Sequence, residues 1–181
     1  KQISGCPPCF TNLADSDAII ATMCLAAEAF ELKYKKIPYI CIVAKHGNAC
    51  GMAVSWNEPS AAAEGALFGN PRAIWGGELI SNFEIDRNLA KLLFKSDKRK
   101  EAAGDAAWML DLILAPRFTE AAIEILSKRV NRKLLQNDSL RSPFLPMSRY
   151  AYRFVRGGFL RQPPNNFVLD FRNVKLTGPK L

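Results

Sequence analysis

The feature that most constrains the fold is an apolar run, Tyr39-Ile40-Cys41-Ile42-Val43-Ala44, that stops abruptly at Lys45-His46-Gly47-Asn48-Ala49-Cys50-Gly51. A half-buried strand alternates apolar and polar residues, and a surface helix shows a polar residue every few positions. This run does neither. It reads as apolar on both faces, as a strand does when it lies inside a sheet covered on both sides. Such a strand hands its next residues to the end of the sheet, where α/β domains commonly present their chemistry. The turn that follows holds the only histidine in the chain, beside Lys45 and bounded by two glycines. Imidazole exchanges a proton near neutral pH, and an adjacent lysine holds an anionic substrate or depresses the imidazole's pKa. On a turn both side chains can face one cleft, whereas neighbours in a regular strand point to opposite faces. The dipeptide alone fits equally well a histidine that merely ends a strand.

The rest of the chain supplies partners for that strand. Residues 1–12 read as loop, with Cys6-Pro7-Pro8-Cys9. A helix opens within residues 12–17, with Asp15 or Asp17 as its N-cap. Ile19, Met23, Ala26, Ala27 and Phe30 then recur at helical spacing, and residues 33–38 close the helix. Residues 52–55 continue as extended chain. Residues 59–68 are alanine-rich and helical, with Pro59 at the first turn, and Gly69-Asn70-Pro71 stops them. A turn at Ala73-Ile74-Trp75-Gly76-Gly77 leads into a second strand at 78–81. Asp86 caps a helix that turns Leu89, Leu92 and Leu93 inward. A charged stretch precedes a helix near 102–109. A third strand at 110–115 ends at Pro116, and Thr119 caps a helix carrying Ala122, Ile123 and Leu126. Leu134-Leu135 is a short strand, and 137–147 a surface loop. Residues 150–162, interrupted by Gly157-Gly158, and 166–174 are β-rich. The alternation of strands and helices predicts an α/β fold, a three-layer α/β/α sandwich, as a single domain over residues 1–181.

Composition narrows the partners. A chain of 181 residues makes one domain with a real core, or a large fragment of something longer. It begins with Lys1, which suits a processed or excised piece. The formal charge of +8, from 25 basic and 17 acidic residues, favours anionic ligands. The basic residues scatter, apart from clusters at 95–100 and 128–133 that read as solvated helix ends, so nucleic acid is not the expected partner. No apolar run reaches the roughly 18–20 residues of a membrane span, and no signal-peptide layout is present. Five cysteines without framework spacing suit a reducing compartment, the cytoplasm.

Other residues could carry chemistry. Asp111, at the start of the third strand, could bind ribose hydroxyls or orient a donor; it reads equally as a solvated junction residue. Trp75-Gly76-Gly77 sets a ring beside close-approach backbone, or is a core tryptophan next to a turn. Arg153 and Arg156 could meet a phosphate, or be solvated strand residues. Cys6, Cys9, His46 and Cys50 could be assembled on paper into a zinc site. With two prolines inside the CxxC and no second pair, no metal is expected. The zinc-deaminase signature needs His-x-Glu, and here Asn48 stands two residues after His46.

Five segments, in this order, resemble AICAR transformylase, the formyltransferase portion of the bifunctional purine-biosynthetic enzyme that also carries IMP cyclohydrolase. Asn12-Leu13-Ala14-Asp15-Ser16-Asp17-Ala18 resembles its Asn-x-x-Asp-x-Asp-Ala helix start. The turn at 45–51 resembles Lys-His-x-Asn-Pro-Cys-Gly, with Ala49 for proline. Residues 73–77 are similar to Ser-Ala-Phe-Gly-Gly, with Trp75 for phenylalanine. Residues 111–122 resemble Ile-Ile-Ala-Pro-Gly-Phe-x-Glu-Glu-Ala, with Arg117 for glycine. Residues 153–160 resemble Arg-x-Val-Arg-Gly-Gly-Leu-Leu.

The resemblance implies the first of two cytidine-deaminase-like halves, with a mixed sheet. It implies transfer of a formyl group from formyl-tetrahydrofolate to the exocyclic amine of a phosphoribosyl aminoimidazole carboxamide, without a metal. His46 would carry the proton and Lys45 would support charge developing on the formyl group. Asn48, Trp75, Gly76 and Asp111 would line the substrate. The family's Arg-Tyr-Gly-x-Asn-Pro-His-Gln stretch, its second half and its cyclohydrolase domain are not in this sequence. The family's site forms between halves and across a dimer, so the resemblance implies a homodimer or a partner supplying the second half. The alternative is a non-catalytic paralogue serving as a binding or assembly module.

Overall fold

The computed structural model describes residues 1–144, 150–164 and 178. They fall into two compact units, Lys1–Leu145 and Pro146–Leu181. The first unit runs β1 (Gln2–Ser4), α1 (Phe10–Tyr34), β2 (Tyr39–Lys45), β3 (Asn48–Ser55), α2 (Pro59–Gly69), β4 (Gly77–Ser81), α3 (Arg87–Phe94), α4 (Asp97–Ala103), β5 (Leu110–Ala115), α5 (Glu120–Leu126) and β6 (Lys133–Gln136). Its strands form one mixed six-stranded sheet in the order β1-β6-β5-β4-β2-β3. β4, β5 and β6 are parallel; β2 is antiparallel to both β3 and β4, and β1 is antiparallel to β6.

Strand alternation sorts the core into two clusters. Ile40, Ile42, Ala44, Ile80, Leu112 and Leu114 pack with Ile19, Met23 and Ala27 of α1. Cys41, Val43, Leu79 and Ile113 pack with residues of α2, α3 and α5. β2 contributes to both clusters, which is why it is apolar throughout. The small residues of α2 let it lie tightly on β3: a side chain at Gly51 would collide with the carbonyl of Ala66. That contact explains a glycine inside a strand, where it otherwise weakens the structure.

Several sequence expectations are corrected. Residues 1–12 are not all loop: β1 pairs with β6, Gln2 opposite Leu135. α1 begins at Phe10 with Cys9 as its N-cap, so Asp15 and Asp17 lie inside it. The Asn12 side chain accepts from the Cys9 backbone N–H, which fixes the start three residues early. The helix expected near 102–109 lies instead in the charged stretch. Ser96 caps it by accepting from the Arg99 N–H, and Gly104 ends it in the left-handed region at φ 81°. Ala106 and Trp108 are buried in the irregular segment beyond. Within the expected loop at 137–147, Asp138–Arg141 forms a 3-10 turn that buries Leu140.

In the second unit, β7 (Ala151–Val155) pairs antiparallel with β8 (Gly158–Gln162), with the break at the glycines as expected. The Tyr152 and Phe159 rings meet edge-on at 5.5 Å, and the Arg161 guanidinium lies over Tyr150. The strand expected at 166–174 lies outside the described residues. No described helix is long and apolar enough to cross a membrane.

Candidate active site

The strand directions gather one edge of the sheet. Because β2 runs against β4, Ala44 sits opposite Glu78 and the end of β2 meets the start of β4. Because β4, β5 and β6 are parallel, their starts lie side by side, Gly77 opposite Leu110 and Leu112 opposite Lys133. The Lys45-His46 turn, Trp75-Gly76 and Asp111 are therefore delivered to the same edge, although up to 66 residues separate them in the chain. The first turn of α1 joins them there, since Asn12 Nδ2 donates to Glu78 Oε1 at 2.9 Å.

Local chemistry shapes the turn. Lys45 pairs with Asn48, so His46 and Gly47 are the two central residues of a hairpin loop. Both have positive φ, 56° and 71°. This is the primed type of turn, whose twist matches that of the flanking strands. Glycine meets that requirement freely; histidine does so at a cost. Two contacts hold the loop. The His46 backbone N–H donates to Asp15 Oδ2 at 3.0 Å, and Asn48 Nδ2 donates to the His46 carbonyl at 2.9 Å. The imidazole is exposed, and the Lys45 ammonium lies 5.8 Å from the centre of the Trp75 ring. Trp75 is 58% exposed, a large ring left open at a site edge. Gly76 takes φ 73° and donates its N–H to the Met109 carbonyl, which ties the Trp75 turn to the start of β5.

Lys45, His46, Asn48 and Trp75 thus form one contiguous group, with Gly76 beside it. Asp111 stands further along the edge. Between Gly77 and Glu78 the β4–β5 register slips from Leu110 to Leu112, so Asp111 is the extra residue of a bulge. The bulge leaves its carboxylate exposed beside a buried leucine on each side. Arg153 lies on β7 in the second unit, exposed, and Arg156 stands at the turn before β8.

Two important residues escape a reading of the sequence alone. Glu78 is 3% exposed in a strand otherwise made of apolar and small residues. Burial pushes its carboxyl from the ordinary 4.5 up to about 7; the Asn12 hydrogen bond opposes the rise, and the nearby Asp15 and Asp111 charges add to it. Its Oε2 has no partner among the described residues. A lone acid directly after a Trp-Gly-Gly turn, inside a buried strand, was the available signal. Asp15 is the second: it holds the His46 turn instead of capping a helix.

The cysteines do not converge. Cys6 Sγ donates to the Asn131 carbonyl, and Cys9 Sγ to Asn12 Oδ1. The Thr11 hydroxyl and the Asn12 backbone lower the Cys9 thiol pKa, while burial raises those of Cys24 and Cys41. Among the described residues no three His, Cys, Asp or Glu side chains gather as metal ligands would.

Residues 1–180 match the family described as AICARFT/IMPCHase bienzyme. The chain belongs to that family. It is 29% identical over 180 residues to the bifunctional purine biosynthesis protein PurH of Acetivibrio thermocellus, covering 99% of this chain and 30% of that protein. Against PurH of Acidithiobacillus ferrooxidans the identity is 32% over 161 residues, covering 89% and 26%. The chain therefore spans less than a third of the curated bienzymes it matches. Among solved structures, dCMP deaminase of the cyanophage S-TIM5 is 18% identical with a TM-score of 0.42, covering 66% of this chain and 97% of that one. A likeness at that level is too remote to argue from. Membership in the bienzyme family does not by itself decide which of its two activities this portion serves.

Proposed function

We propose that this chain carries a formyl-transfer centre of purine biosynthesis, the transformylase portion of the bienzyme and not its cyclohydrolase portion. The observation that carries the reading is the edge of the sheet. It sets Lys45, His46 and Asn48 together on a strained, tethered hairpin turn, with Trp75 and Gly76 beside them on the turn before β4 and Asp111 further along. A histidine held at positive φ, where glycine would be easier, is a local cost of the kind that functional sites carry.

In this reading formyl-tetrahydrofolate is the donor and a phosphoribosyl aminoimidazole carboxamide the acceptor. The acceptor's amine attacks the formyl carbon, a carbon–nitrogen bond forms, and the bond from that carbon to the folate nitrogen breaks. His46 takes the proton from the attacking amine and returns it to the departing nitrogen. Lys45 faces the oxygen on which negative charge develops. The open Trp75 ring and the bare Gly76 backbone receive the flat imidazole, and Asn48 and Asp111 hold its polar groups. A second half, from the natural chain or from a second copy in a dimer, completes the contacts. With α1 on one sheet face and α2, α3 and α5 on the other, we read the fold as a three-layer sandwich of the cytidine-deaminase type. We place it in the cytoplasm, which suits its five free thiols.

The test is a formyl-transfer assay on the full natural chain, with its cyclisation activity measured in parallel. Lys45→Ala and His46→Ala should each abolish transfer while leaving the circular dichroism spectrum unchanged. Turnover equal to wild type in both variants sinks the reading, and a wild-type chain with neither activity leaves a non-catalytic binding module. Loss of cyclisation alone assigns the chain to the other portion.

A further inference from the structure

Further along the same edge, Arg129 and Arg132 line a cleft of about 230 Å³ together with Met109, Leu110, Asp111 and Asn131. The two arginines are set by one turn between α5 and β6, in which the Arg132 N–H donates to the Arg129 carbonyl. Arg132 is 1% exposed. Its Nε donates to the Leu110 carbonyl at 3.1 Å and one terminal nitrogen to the Trp108 carbonyl at 2.7 Å. The other terminal nitrogen, Nη1, is buried with no acceptor, and so is Arg129 Nε. Both guanidiniums lie against the Phe94 ring, at 5.9 and 5.8 Å. Neither forms an ion pair among the described residues. Burial, and then the Arg129 charge, lower the Arg132 pKa to about 10, and Asp111, from beyond ion-pair distance, opposes the shift.

A buried guanidinium without a counter-ion is an incomplete arrangement. Arg132 is such a group; it shares one turn with the half-buried Arg129, neither has an anionic partner among the described residues, and both side chains line the cleft, where guanidinium N–H groups hold planar or tetrahedral oxyanions through paired bonds. The net charge of the chain, +8, draws such ligands toward it.

We propose that the Arg129–Arg132 cleft is an oxyanion-binding site, taking the phosphate or carboxylate group of a small-molecule ligand. It stands whether or not the neighbouring turn transfers formyl groups.

The experiment is isothermal titration and thermal melting of the full natural chain with inorganic phosphate and with glutarate, each against chloride at matched ionic strength. One of the two oxyanions should bind saturably and raise the melting temperature, and the tighter of them names the class. Arg129→Gln should weaken that binding at least tenfold. Arg132 also holds two backbone carbonyls, so Arg132→Met can unfold the chain; Arg129→Gln, whose head group donates only to Met109 Sδ among the described residues, is the decisive variant. No binding beyond chloride, or unchanged affinity in Arg129→Gln, overturns the proposal. Formyl transfer absent from the wild-type natural chain, with oxyanion binding intact, sinks the earlier reading alone.

Discussion

Replacing Glu78 by glutamine should change how stability depends on pH. In the folded chain burial holds this carboxyl protonated up to about 7, against an ordinary value of 4.5. Below pH 4.5 both folded and unfolded chains carry the proton, and the site contributes no penalty. Between 4.5 and 7 the unfolded chain releases the proton while the folded chain keeps it, so stability falls as pH rises. Above pH 7 both are ionised and the penalty is complete. At about 1.36 kcal/mol per tenfold change in proton affinity, the gap amounts to about 3 kcal/mol. Glu78→Gln retains an oxygen for the 2.9 Å bond from Asn12 but cannot ionise. Its amide nitrogen replaces an Oε2 that already lacks a partner, so the two chains should differ little at pH 4.5. At pH 8 the variant should be more stable by about 3 kcal/mol. Urea unfolding of both proteins at several pH values between 4 and 8 measures the difference directly. Parallel stability–pH curves for the two would refute the placement of a buried, proton-retaining acid at this edge.

Other perturbations test neighbouring contacts. His46→Gly removes the imidazole and also relieves a left-handed backbone that costs a non-glycine residue about 1–2 kcal/mol. After glycine's own loss of chain freedom, thermal melting should find the variant unchanged or up to about 1 kcal/mol more stable, though inactive in formyl transfer. Asp15→Ala leaves the His46 N–H without its acceptor, which should cost about 1–3 kcal/mol in chemical unfolding and speed hydrogen exchange at the His46 amide. A methyl group at Gly77 would press on the Ala44 carbonyl across the β2–β4 ladder. Gly77→Ala should therefore destabilise by about 1–3 kcal/mol in chemical unfolding and lower formyl transfer.

Much of the fold was legible because its signals are local. Six apolar residues in a row specified an interior strand, and the alternation of strands and helices specified α/β. Caps were legible where the capping side chain reaches its own helix, as Asp86 and Thr119 do. Capping was misread where a longer-range contact claimed the residue. Asp15 has the composition of an N-cap but spends its carboxylate on a turn 31 residues away. The helix at 97–103 was missed because its sequence is charged and its apolar neighbours, Ala106 and Trp108, bury themselves without helical structure. β1 was missed because three residues carry too little pattern, and only pairing with β6 makes them a strand.

The sequence by itself determined that residues 39–44 are an interior strand and that a lysine and the chain's only histidine follow it on a tight turn. Those conclusions need only side-chain type and period. Tertiary structure decided what stands beside that turn. Strand order and direction, set by how the helices cover both clusters of the core, place Glu78, Asp111, the buried Arg132 and the half-buried Arg129 along one edge. Burial then turns Glu78 from an ordinary acid into one that keeps its proton to about pH 7. No spacing in the chain could reveal that, because the cost of a charge depends on the surroundings that the whole fold assembles around it.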